Sequence, residues 1–126
     1  MKKTFLMVAF TLVSVFSANT FSQDKIEFSG ACVYPTKPTI VNGNTATEAE
    51  MIKSQQDMKA YLALGNEFLG CLDKEATSQI KGDTPKEQAD EFKARIDATH
   101  NAAVDDMNAI AELFNAALRT FKGKSQ

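Results

Sequence analysis

The chain has 126 residues, 44% of them apolar, with no Trp, one His and two Cys, and 14 Lys plus Arg against 16 Asp plus Glu leave a formal charge of −2. That length holds one domain at most, and the balance lacks the positive excess that non-specific nucleic-acid binding requires. One His and two distant Cys cannot build a four-ligand Cys/His zinc site within one chain.

Met1, Lys2 and Lys3 form a positive start, Phe5 to Phe16 is an almost wholly apolar run, and small Ser, Thr and Ala residues follow before Asp24. This pattern predicts a secretory signal peptide over 1–22. Thr20 and Ser22 favour a cut before Gln23, with Val15 and Ser17 (a cut before Ala18) as the second choice. The apolar run falls short of the ~20 residues that span a bilayer, so no stable membrane insertion is expected. Lipidation at Cys32 is the weaker reading, because Leu is missing three residues before it and Asp24, Lys25 and Glu27 separate it from the apolar run. Removal of 1–22 takes away Lys2 and Lys3, leaving 104 residues and a charge of −4. Export places the two cysteines in an oxidising compartment, which predicts a Cys32–Cys71 disulfide.

Residues 23–45 carry Gly30, Pro35, Pro38 and Asn42-Gly43 with no helical period, the pattern of an extended arm ending in a tight turn. Thr47-Glu48-Ala49-Glu50 is a capping box, and Thr45-Ala46-Thr47-Glu48 offers one nearby. From there Met51, Gln55, Met58, Leu62, Gly65, Leu69, Leu72, Ala76 and Ile80 recur at spacings of 3 and 4, predicting a helix over 46–81 that Gly82 ends. Thr84-Pro85-Lys86-Glu87 is a second capping box with Pro at the first helical position. Ala89, Phe92, Ile96, Thr99, Ala103, Met107, Ile110, Phe114, Ala117 and Phe121 then repeat, predicting a second helix over 84–122.

A short Gly82-Asp83 connection forces the two helices antiparallel. The expected fold is all-α: a long antiparallel two-helix hairpin with an extended N-terminal arm tied to the first helix by a disulfide. Counting from the turn pairs Leu69 with Ile96, Met58 with Met107, and Met51 with Phe114. About 24 helical residues between Thr47 and Cys71 span ~36 Å at 1.5 Å each, and about 14 arm residues reach ~43 Å at 3.1 Å each. The arm must therefore lie nearly extended along the first helix, against an edge made by Tyr61, Leu64 and Phe68, while Ile40 and Val41 cover Ala117, Leu118 and Phe121.

The chain resembles a family of small, uncharacterised exported proteins of bacteria. The matching pieces are Cys32 with Pro35 and Pro38, Asn42-Gly43, Ala46-Thr47 through Glu50-Met51, Tyr61, Cys71-Leu72, and Phe114 through Lys122. They span nearly the whole chain after the signal peptide. Members usually show Asp-Gly at the turn and Tyr before the final Lys, where this chain has Asn42-Gly43 and Phe121. The resemblance implies export and the bridge, and no activity.

No nucleophile, base and acid can be combined into a catalytic set, since His100 is the sole imidazole. Asp97 and His100 give half of a di-iron helix motif without its other half. The acids Asp105-Asp106 and Asp90-Glu91 read as solvated surface, and the distant cysteines lack the Cys-x-x-Cys spacing of redox catalysts. No catalytic, cofactor or metal residue is assigned. The reading is a non-enzymatic exported structural or protein-interaction module of the bacterial envelope, periplasmic or secreted, whose surplus apolar residues Leu64, Phe68, Val104, Leu113 and Leu118 form a candidate surface for another envelope protein or for a homodimer. The alternative is a small metal- or ligand-binding periplasmic protein using His100 and neighbouring carboxylates.

Overall fold

A computed structural model describes residues 31–124 of the chain. The signal peptide expected over 1–22 lies outside the described residues. Two helices make up the regular structure, α1 (Glu48–Gln79) and α2 (Lys86–Lys124). Residues 32–42 run along them without helix or strand.

Local chemistry sets the start of α1. The Asn42 carbonyl accepts the N–H groups of Thr45 and Ala46 at 3.1 and 2.9 Å, and the Asn42 side-chain oxygen accepts from Asn44 N–H at 2.9 Å, which closes the turn. Thr47 then caps the helix: its hydroxyl accepts Glu50 N–H at 3.3 Å, and Glu50 accepts Thr47 N–H at 2.7 Å. Both halves of the predicted capping box are formed. The donors hold the Glu50 carboxyl below its ordinary range, chiefly through the Thr47 backbone and then its side chain.

At the other end of α1, Ile80 leaves the helix with φ −91° and ψ 100°, and its N–H still reaches Ala76 C=O. The connection is Ile80–Pro85, longer than the expected Gly82-Asp83, so α1 stops before Lys81 and α2 starts after Pro85. The Thr84 hydroxyl serves this connection by accepting Lys81 N–H at 2.9 Å, while Ala89 N–H bonds Pro85 C=O. At its far end α2 runs past the expected Lys122 to Lys124. The Lys124 ammonium donates to Ala46 C=O at 2.6 Å and lies 4.8 Å over the Phe121 ring, pinning the last turn of α2 to the start of α1.

The helices pack antiparallel in two apolar clusters. Near the disulfide, Cys32, Phe68, Leu72, Ile96 and Ala103 are buried, with Leu69, Ala76 and Phe92 against them. Near the start of α1 and the end of α2, Ala46, Met51 and Phe114 are buried, joined by Ile40, Val41, Met58, Ala117, Leu118 and Phe121. The expected closeness of Leu69 to Ile96 and of Met51 to Phe114 is met within these clusters, as is the cover from Ile40 and Val41. Met107 packs over Gly65, where an added Cβ would meet its sulfur at 2.6 Å.

Candidate interaction surface

Cys32 and Cys71 form the disulfide, with Cα atoms 5.6 Å apart. From that anchor the arm follows one side of the hairpin. Tyr34 meets the Phe68 ring edge-on at 5.1 Å between centroids, and farther along Val41 N–H reaches the Ser54 hydroxyl at 3.4 Å. Ser54, Tyr61 and Phe68 are all buried; spaced by seven residues, they form a single stripe under the arm. Gly43 then lies against the α2 backbone, where a Cβ would sit 2.0 Å from the Ala117 carbonyl oxygen.

A polar clasp closes the arm over both helices. The Tyr34 hydroxyl lies 2.9 Å from Asp106 Oδ2 and 3.0 Å from the Tyr61 hydroxyl, and the Lys37 ammonium lies 2.7 Å from Asp106 Oδ1. The carboxylate can only accept, so Tyr34 donates to Asp106 and Tyr61 donates to Tyr34. Burial raises the Tyr34 phenol far above its ordinary pKa, and the hydrogen bonds to Tyr61 and Asp106 push it further. Asp106 therefore differs from the solvated acid expected from its spacing: it receives both ends of the clasp. Its partners are 72 and 69 residues away, so no local pattern announces them.

The five residues predicted as one apolar surface are not brought together. Phe68 is only 2% exposed, because the arm and the disulfide cover it; it is core and not a docking residue. Leu64 was expected under the arm with Tyr61 and Phe68, yet it is 52% exposed, since it lies at the outer margin of that edge beside Val33 and Pro35. Leu113 is 56% exposed and falls on the Asp106 side of α2, seven residues along.

Val104 and Leu118 belong to the opposite side. With Ala111 they form a stripe roughly 120–160° around α2 from Asp106 at 100° per residue. All three are half-buried. Their counterparts on α1 are Gln55, Leu62 and Leu69, each one residue past the buried Ser54, Tyr61 and Phe68. Ile52, 50% exposed, extends this side into a shallow groove with Met51, Gln55, Phe114, Leu118 and Phe121. The arm covers one side of the hairpin, and the apolar seam on the other side remains open.

His100 is half-buried on α2 near that open side, one turn beyond Asp97. Among the described residues no group of three or more His, Cys, Asp or Glu side chains is placed to hold a metal ion. No described helix is long and apolar enough to cross a membrane. No family model, curated protein or solved structure matches the chain.

Proposed function

We propose that the chain is a non-enzymatic, exported protein-interaction module of the bacterial envelope, and that it docks its partner on the side of the hairpin opposite the arm. The observation that carries this reading is the division of the two sides. The arm seals Ser54, Tyr61 and Phe68, whereas Ile52, Leu62, Leu69, Val104 and Leu118 keep apolar surface in contact with solvent. A two-helix hairpin buries little core by itself, and covering this second side would add the missing layer. Export is supported by the Lys2-Lys3 start, the apolar run after it and a disulfide suited to an oxidising compartment. The resemblance to small exported bacterial proteins belongs to the same reading.

The partner is another envelope protein or a second copy of the chain, and the test separates the two. Val104→Glu and Leu62→Glu place charges on the open side, while Val33→Glu places one on the 83%-exposed arm residue. Light scattering reads self-association, and capture from the native envelope reads other partners. The reading predicts loss of one or the other in the first two variants and retention of both with Val33→Glu. An unchanged mass and an unchanged set of captured proteins across all variants would contradict it, and stoichiometric metal in the native protein would favour the His100 alternative.

A further inference from the structure

We propose that the Cys32–Cys71 bridge is a directional thiol-exchange site, entered at Cys71 and guarded against reduction by Glu75. Cys32 is 6% exposed and sits in the core cluster with Phe68 and Leu72, whereas Cys71 is only half-buried. Both cysteines line a shallow groove with Val33, Leu64 and Glu67. Of the two, Cys71 is the more exposed, and in the proposed step a small thiolate attacks its sulfur. It forms a new S–S bond to Cys71 Sγ, the Cys32–Cys71 bond breaks, and its electron pair leaves on Cys32 Sγ. A second thiolate attacks the incoming sulfur, releasing Cys71 as a thiolate and carrying away the oxidised thiol as its disulfide; both cysteine sulfurs take protons from solvent.

The first of these steps is opposed by the site itself. Glu75 Oε2 lies 3.5 Å from Cys32 Sγ. The bridged sulfur carries no proton, so this is a contact between a carboxylate and the atom on which negative charge must develop. Like charge beside it and poor hydration around it both disfavour the thiolate that must leave, and a less stable leaving group departs more slowly. Glu67, at the wall of the groove, repels anionic thiols before they arrive. The bridge is thus reached more readily at Cys71 and is resistant to attack there, which keeps the arm fastened in the presence of small thiols. This inference does not depend on what the open side of the hairpin binds.

The test follows reduction of the oxidised full chain by dithiothreitol and by glutathione, with quenched alkylation and mass spectrometry. Glu75→Gln is expected to speed reduction by both reagents about tenfold, with the gap narrowing in high salt as the charge is screened. Glu67→Gln is expected to speed glutathione more than dithiothreitol. The first trapped glutathione adduct is expected on Cys71. A Glu75→Gln rate within twofold of wild type, an adduct on Cys32, or an acceleration indifferent to salt, as loss of local folding would give, overturns the proposal.

Discussion

Gly43 and Gly65 both sit at close helix contacts, yet adding one methyl group to each should have opposite consequences. At Gly43 an added Cβ would lie 2.0 Å from the Ala117 carbonyl oxygen and 2.9 Å from the Phe121 nitrogen, which are main-chain atoms of α2. Neither side can rotate away, so turn and helix must separate by about 1 Å, which strips contact from Ile40, Val41 and Phe121. Overpacking usually costs about 1–3 kcal/mol, and a clash of backbone with backbone belongs at the top of that range. On a domain of about 100 residues, ~3 kcal/mol lowers Tm by roughly 12 °C or more. At Gly65 the nearest atom is Met107 Sδ at 2.6 Å, the end of a flexible side chain that can move. Gly→Ala inside a helix also gains about 1 kcal/mol of propensity. Gly65→Ala should therefore fall within about 1 kcal/mol of wild type. Thermal and urea unfolding of the oxidised protein, followed by far-ultraviolet circular dichroism, measures both. A Gly43→Ala protein as stable as wild type, or less harmed than Gly65→Ala, would refute the packing of the turn against α2.

Two further outcomes follow from the arm. Replacing both cysteines by Ser opens a loop of 39 residues and should cost about 4 kcal/mol on the chain-entropy account, and limited proteolysis should then cut the arm before the helices; equal protection of the arm in the oxidised and cysteine-free proteins would count against a fastened arm. The Tyr34 phenol stays protonated in the folded state to higher pH than its ordinary value of 10.0. The unfolded chain then releases this proton first, so stability is intact below about pH 10 and declines as pH rises beyond it. Tyr34→Phe should flatten that alkaline decline, and identical pH–stability slopes above pH 10 in both proteins would argue against the clasp.

The parts of this fold that were legible in the sequence are those written within a few residues of one another. The Thr47-Glu50 box needs a spacing of three, and it forms as read. The two helices follow from their 3-and-4 spacing, and the position of the arm follows from comparing its reach with the distance between the cysteines. What escaped depends on the arm as a third layer. The helical period placed Gln55, Met58, Leu62 and Leu69 on the seam, but the arm draws Ser54, Tyr61 and Phe68 into full burial and leaves those four half-buried. The edge read for the arm at Tyr61 and Phe68 is the one it covers, whereas Ser54 joins that stripe unannounced and Leu64 stays outside it. Asp106 was misread because its partners Tyr34 and Lys37 come from the arm. The connection is longer than expected because Gly82 marks where a helix must have ended without fixing where it does end.

The claim that one side of the hairpin is sealed and the other docks a partner is tested most directly by site-specific photo-crosslinking in the native envelope. A photoreactive residue at Leu62, Val104 or Leu118 should give a discrete crosslink, to another protein or to a second copy of the chain, whereas the same residue at Leu64 or Leu113 on the arm side should give none. Crosslinks from the arm side alone, or none from the open side, would contradict it.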